Sequence, residues 1–240
     1  PMPAEGSPVR DIEVKRGLFG VRRVEVTRPF RRSGPAVAER LRRVRIGMPR
    51  VLNMYTTAPY FRAYFEALGV QKQNVVFSEA TTEEMWVEGG KYGSVDPCFP
   101  SKVVQAHIHN LLFHHHSAEK KLSYIFFPVL THVPSFGEGV MDKASCPIVA
   151  GAPEVMKAAF TKEVDFFATR GIEYLDPALT FGEMNLTAQR MFECWSKRLG
   201  VKRYECDHAH REALRALTEF ERDLQEKGRA ILETVEAENK

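Results

Sequence analysis

The apolar run Leu122–Leu130 (LSYIFFPVL) is the feature that most constrains the fold of this chain. It is too short to span a membrane, and polar or charged residues flank it on both sides. Such a run is typical of a strand that is buried on both faces of a parallel sheet. The segment Arg45–Met54 predicts a first strand that runs into a loop, and shorter apolar runs predict further strands at Asn74–Phe77, Cys146–Ala150 and Glu173–Leu175.

Helical patterns separate these runs, with apolar residues three and four positions apart. The predicted helices are Pro59–Leu68, one capped by Thr81 or Thr82, Lys102–Phe113, Pro153–Phe160, Thr187–Leu199 and a long one over Ala209–Val235. Strands that alternate with helices favour βαβ units. We therefore predict an α/β, Rossmann-like fold with a mainly parallel sheet, flanking helices and a long C-terminal helix. Ligands bind such sheets outside the carboxyl ends of the strands, where the loops after Met48, Phe77, Leu130 and Val149 should meet.

Basic and acidic residues are distributed unevenly along the chain. Residues 1–50 contain 13 basic and 5 acidic residues, whereas residues 51–240 have a net charge of −5. We predict a basic arm or linker over residues 1–43, a Rossmann-like domain over 44–185 and a helical C-terminal segment over 186–240. The arm, with a short strand pair around Val21–Thr27, is expected to lie across the surface and to add little to the core. It has no recognisable nucleic-acid motif, so nucleic acid is not a favoured partner.

Several classes of protein are excluded by composition and motifs. Hydrophobic residues make up 44% and charged residues 27%, which is ordinary globular usage. No apolar run approaches the roughly 18 residues of a membrane span, and the N-terminus lacks a secretory signal, so we expect a cytoplasmic protein. Four cysteines then indicate reduced thiols or a metal site. The absence of a phosphate-binding glycine loop and of a serine nucleophile elbow leaves no independent case for ATP hydrolysis, dinucleotide binding or ester cleavage.

Cys98, in the segment SVDPCFPSK (Ser94–Lys102), is the first candidate for chemistry. Pro100 suits the first turn of the helix that follows, so Cys98 is expected just before a helix N-terminus. The positive end of the helix dipole and the free backbone N–H groups there favour a thiolate, the form that binds a metal or attacks a substrate. Lys102 adds positive charge one turn later.

Cys146 is the second candidate, and Pro147 follows it, a dipeptide that recurs at iron–sulfur ligands. Its loop is expected at the same sheet edge as Cys98, so we predict that the two thiols lie within roughly 8 Å of each other. The alternative is that each is a small buried hydrophobic residue. Cys194 and Cys206 are expected to have structural roles, with Cys206 the less certain of the two, and the chain contains no CxxC pair.

Five histidines are clustered in and after the predicted helix from Lys102. His107 and His109 diverge by roughly 200° on a helix and are not expected to chelate one metal together. His114, His115 and His116 lie where the helix should end, and we interpret them as a solvated helix end that suits the dipole.

Four segments, in this order and spacing, resemble a known family: Arg45–Tyr55 (RIGMPRVLNMY), Tyr92–Leu112 (YGSVDPCFPSKVVQAHIHNLL), Tyr124–Leu130 (YIFFPVL) and Cys146–Glu154 (CPIVAGAPE). The chain resembles a domain of uncharacterised function within the large CoA-substrate-specific enzyme activases, which are related to the activators of 2-hydroxyacyl-CoA dehydratases. The domain is also distantly similar to the iron–sulfur subunits of those dehydratases. The likeness covers about residues 44–160.

The resemblance implies ATP-driven electron transfer to a dehydratase-like partner, because in full-length relatives an ATPase region with an iron–sulfur cluster precedes this domain. ATPase activity is not carried over, since this chain lacks the phosphate motifs. What the resemblance implies for this chain is a [4Fe–4S] cluster with Cys98 and Cys146 as thiolate ligands and Lys102 as a charge beside it. A cluster normally needs four ligands, so the others would come from a second chain, an absent domain or Cys206.

Two functions therefore remain open. The first is an iron–sulfur electron-transfer or reductase module, expected to be part of a larger polypeptide or complex, with an ATPase region or a dehydratase-like protein as its partner. The second is a non-catalytic interaction domain that links an ATPase region to a partner through the basic arm and the long C-terminal helix. Self-association is compatible with either function.

Overall fold

Strands and helices alternate along most of the chain. The computed structural model describes residues 6–17, 20–31, 33–92, 98–134 and 143–238. The strands are β1 (Pro8–Gly17), β2 (Gly20–Pro29), β3 (Ile46–Met48), β4 (Val75–Phe77), β5 (Tyr124–Phe126), β6 (Val129–His132), β7 (Glu173–Leu175) and β8 (Ala178–Thr180). The α-helices are α1 (Pro35–Arg43), α2 (Met54–Leu68), α3 (Glu83–Gly89), α4 (Phe99–Asn110), α5 (Pro147–Thr161), α6 (Met184–Leu199) and α7 (Arg203–Ala237).

A four-stranded parallel sheet in the order β4-β3-β5-β7 confirms the predicted α/β class and mainly parallel sheet. The predicted buried strand Leu122–Leu130 supplies β5, an interior strand. The last two residues of the predicted run belong to β6, which pairs in parallel with β8. Pro128 and Pro177 have no N–H group and lie between the paired segments, so each strand is interrupted at its proline.

Aromatic side chains fill the space between the sheet and the helices. Phe126 of β5 contacts Phe61 of α2 at 5.2 Å between ring centroids, and Phe65 contacts Trp195 of α6 at 4.9 Å. All four side chains are fully buried. The apolar faces of α2 and α6 therefore pack against each other and against the predicted central strand.

The ends of several helices were predicted from local signals. Gly69, with φ +109°, ends α2 as expected, because this left-handed conformation suits glycine. Thr82 caps α3 by accepting a hydrogen bond from the N–H of Met85. The prediction of a strand over Cys146–Ala150 is wrong, because Pro147 begins α5 at the position where a helix tolerates the missing N–H.

The N-terminal region is more regular than predicted. β1 and β2 form an antiparallel hairpin of two ten-residue strands that includes the expected pair around Val21–Thr27. Phe30, which follows β2, is fully buried, and Leu41 of α1 is 3% exposed and packs in the core. The expectation that residues 1–43 add little to the core is wrong at these two side chains. The domain boundaries at residues 43 and 185 stay predictions.

The long C-terminal helix is present and starts earlier than predicted. Its first half packs on α2, whereas every residue of its last part, 222–238, is exposed. Cys206 lies inside this helix and is buried. Among the described residues, no helix is both long and apolar enough to cross a membrane.

Candidate functional site

Cys98 is the residue that immediately precedes α4. Its backbone is extended, with φ −144° and ψ 154°, and its carbonyl accepts a hydrogen bond from the N–H of Lys102 at 3.2 Å. The thiol does not cap the helix, and the residue is half-buried. The structure therefore gives Cys98 the predicted position at a helix N-terminus. Residues 93–97, just before it, lie outside the described residues.

Cys146 holds the equivalent position before α5 and is exposed. The preceding residue, Ser145, donates its N–H to the carbonyl of Thr131 at 2.8 Å, which attaches this segment to β6. The Ser145 hydroxyl also accepts a hydrogen bond of 3.0 Å from the amide of Asn53, which precedes α2. These contacts fix the start of α5 beside the loop that follows β3.

α4 and α5 contact one another. The ring of Tyr92 stacks on His109 near the end of α4 and on Phe160 near the end of α5, with centroids 5.1 and 5.5 Å apart. The last turns of the two helices therefore share a neighbour. Cys98 and Cys146 precede the first turns, at the other end of each helix.

The other two cysteines pack among side chains. Burial raises the pKa of Cys194 to about 11 and that of Cys206 to about 12. Cys206 is 2% exposed and packs in the core beside the buried Tyr64. A thiol that is held protonated in this way is a poor metal ligand, so the structural interpretation of these two cysteines is supported.

A buried polar network crosses the carboxyl edge of the sheet. The Ser78 hydroxyl, just after β4, accepts a hydrogen bond of 2.7 Å from the N–H of Arg50, which follows β3. The same hydroxyl lies 2.7 Å from Nδ1 of His107, and Thr81 lies 3.0 Å from Nε2 of that ring. The expected meeting of the loops after β3 and β4 is therefore confirmed.

His107 is fully buried, and this burial, with Arg50 as a second cause, lowers the pKa of the imidazole to about 4. A neutral ring that is hydrogen-bonded at both nitrogens holds the loop after β4 against α4, which is a structural role. No sequence pattern indicates this network, because Ser78 and His107 are 29 residues apart.

His109 faces different neighbours from His107, as the helical rotation predicts. Within the described part of the chain, one set of three potential metal ligands converges, namely Glu88, His109 and His114, whose ligand atoms lie within 4.8 Å of one another. Neither Cys98 nor Cys146 belongs to such a set. The interpretation of the histidine run as a solvated helix end holds only in part, since His115 and His116 are half-buried.

Comparison with known proteins identifies one family. The model of a family described as the CoA enzyme activase uncharacterised domain matches residues 45–240, which is well over half of the chain. This match confirms the resemblance that the four segments indicated and extends it to the last 80 residues. No curated protein and no solved structure matches the chain.

Proposed function

Because the chain belongs to the CoA enzyme activase uncharacterised domain family, we propose that it is an iron–sulfur electron-transfer or reductase module of the activase and dehydratase group. Cys98 and Cys146 are the proposed thiolate ligands. The observation that carries the proposal is that both cysteines immediately precede helices, α4 and α5, that pack against each other.

The surroundings of the two thiols suit a negatively charged group. The first backbone N–H groups of a helix have no partner inside the helix, and neither cysteine side chain caps them. Apart from Pro100 and Pro147, which have no N–H group, the first residues of the two helices can therefore donate hydrogen bonds to sulfur. Lys102 lies one turn into α4 and adds a positive charge near Cys98, which offsets the charge of thiolate ligands.

The two proposed thiolates of this chain supply half of the ligands that a cluster needs. An iron–sulfur cluster usually takes four cysteine ligands. Cys206 is buried in the core, Cys194 packs partly buried against it, and burial raises the pKa of both thiols, so they do not supply the remaining two. We infer that the remaining ligands come from a second copy of the chain or from another polypeptide, with an ATPase region or a dehydratase-like protein as the partner. A cluster at such a boundary accepts and releases single electrons.

The experiment is anaerobic reconstitution with iron and sulfide, followed by measurement of bound iron and of the visible absorption. We expect the wild-type chain to bind iron. The variants Cys98→Ser and Cys146→Ser should each lose the bound iron. Cys194→Ser is the matched control and should retain iron. If the cluster is shared between two copies, iron binding should coincide with dimer formation at about four irons per two chains. Equal iron in Cys98→Ser and in the wild type would overturn the proposal.

A second candidate function, a non-catalytic interaction domain, is favoured by one feature of α7. Leu224, Ile231 and Val235 are exposed along its final part and recur at spacings of seven and four residues. This spacing places them on one face of the helix, as in helices that pair with a partner helix. If this face binds a partner, Ile231→Glu should abolish complex formation with an activase or dehydratase protein and should leave iron binding unchanged. Unchanged complex formation would exclude this face.

A further inference from the structure

Two imidazoles and a carboxylate converge where α3 meets α4. Nε2 of His114 lies 2.9 Å from Oε2 of Glu88, and one ligand atom of His109 lies within 4.8 Å of both. We propose that Glu88, His109 and His114 bind a divalent transition-metal ion such as Zn²⁺, at a site separate from Cys98 and Cys146. Two histidines and one glutamate are a known zinc-binding set that leaves a fourth position open.

The backbone of this region departs from the regular helix in the way that the site requires. Residues five positions apart on an α-helix, such as His109 and His114, diverge by about 140°. A π-helical turn over Leu111–His115 follows α4 and closes the backbone across five residues instead of four. This turn reduces the divergence, and the two imidazole rings lie 6.1 Å apart between centroids. Short π-helical turns are rare and occur often at functional sites.

The third ligand is brought near by the close approach of the two helices at Gly89. A Cβ atom at this position would lie 2.6 Å from Cα of Ala106 and 3.0 Å from Cβ of His109. Only a glycine therefore allows α3 to approach α4 this closely. Glu88, the residue before it, is consequently held beside the two histidines.

The orientation of His109 is fixed before any ion binds. Its ring is nearly parallel to those of Tyr92 and Phe113, at centroid distances of 5.1 and 4.4 Å, and the residue is 5% exposed. These contacts cover the ring faces, and its nitrogens lie in the ring plane. His114 and Glu88 are about half exposed at their side chains, so they can adjust and an ion can enter from solvent.

Binding needs only a small contraction of the cluster. Ligand atoms of a tetrahedral zinc site lie about 3.3 Å apart, given metal–ligand distances near 2.0–2.1 Å. The pair Glu88–His114 is already within this distance, and only the exposed side chains need to move. Lys91 and Arg170 are nearby positive charges that oppose a cation. Arg170 is positioned over the Phe113 ring at 4.3 Å, and the Glu88 carboxylate compensates part of this charge.

The experiment is titration of the untagged chain of residues 1–240 with Zn²⁺ by calorimetry and with Co²⁺ by visible absorption. A Cys98→Ser/Cys146→Ser background removes the two thiols proposed as cluster ligands, so the outcome of this test does not depend on the outcome of the iron test. We expect one ion per chain, with Co²⁺ spectra that lack thiolate charge-transfer bands. His114→Ala and Glu88→Gln should each weaken binding at least tenfold. His132→Ala and Glu119→Gln are matched controls outside the cluster and should bind as the background does.

Two results would overturn the proposal. One is the absence of stoichiometric Zn²⁺ or Co²⁺ binding in the background chain. The other is the same affinity in His114→Ala and in the controls. Circular dichroism of each variant verifies the fold, and since His114 and Glu88 are both largely exposed, their replacement should leave the helices intact.

Discussion

Tyr60 and His210 join α2 to α7 through a hydrogen bond of 2.6 Å between the phenol oxygen and Nδ1 of the imidazole. Tyr60 is fully buried, and this burial raises the pKa of the phenol. The phenol therefore stays protonated and donates a hydrogen bond to Nδ1. His210 is consequently held as a neutral imidazole. The contact connects the helix after the first core strand to the C-terminal helix.

The neutral state of His210 makes stability depend on pH. Burial, reinforced by Arg211 and Arg203, lowers the pKa of His210 to about 4, whereas an unfolded histidine titrates near 6.5. The unfolded state therefore binds the proton first, and stability is lost as the pH falls from about 6.5 to about 4. We expect the free energy of unfolding to fall by up to about 1.4 kcal/mol per pH unit from this residue. Urea unfolding at pH 7, 6 and 5 should show a shallower dependence in His210→Gln than in the wild type. Parallel curves would contradict this.

Glu205 ties the N-terminal region to α7. Its carboxylate accepts hydrogen bonds from the N–H of Ser33 at 2.8 Å, from the Ser33 hydroxyl and from the N–H of Lys202 at 2.8 Å. Glu205→Ala leaves these donors without an acceptor in a buried site, so we expect a loss of about 2–4 kcal/mol in the free energy of unfolding. Glu219→Ala, on the exposed side of the same helix, should change it by less than about 0.5 kcal/mol. Similar unfolding curves for the two variants would refute the role of Glu205.

Gly89 and Gly151 allow a matched test of helix contact. A methyl group at Gly89 would meet backbone atoms of α4, so Gly89→Ala should destabilise the protein by about 1–3 kcal/mol and weaken Zn²⁺ binding. At Gly151, inside α5, nothing lies within 4 Å of the added atom, so Gly151→Ala should stabilise by about 0.5–1 kcal/mol. Thermal unfolding measures both changes. A Gly89→Ala variant that is as stable as Gly151→Ala would show that α3 and α4 are not held by this contact.

The four cysteines should differ in their reactivity. Cys146 is exposed and Cys98 is half-buried, whereas the pKa of Cys194 and of Cys206 is raised by burial. We expect a brief iodoacetamide treatment at pH 8 to alkylate Cys146 fastest, then Cys98, and to leave the other two unmodified. Peptide mass spectrometry measures the modified fraction at each site, and treatment in denaturant, where all four should react, is the control. Early modification of Cys206 in the native protein would be inconsistent with its position in the core.

Sequence patterns alone predict the parallel sheet, the central strand β5, the end of α2 at Gly69 and a cap of α3 at Thr81 or Thr82. These features depend on short-range patterns, namely apolar periodicity, glycine conformation and capping, and all of them can be detected within one or two turns of chain. The family resemblance and the position of Cys98 at a helix N-terminus belong with them. At Cys146–Ala150 the apolar run predicts a strand, whereas Pro147 begins α5 in the structure.

Contacts between residues that are far apart in the sequence became visible only in the folded chain. Ser33 reaches Glu205 across 172 residues, and Ser78 meets His107 across 29. The convergence of Glu88 with the two histidines needs both the π-helical turn after α4 and the close contact at Gly89. No local pattern encodes such contacts, because they arise from the geometry with which whole helices pack on the sheet and on each other.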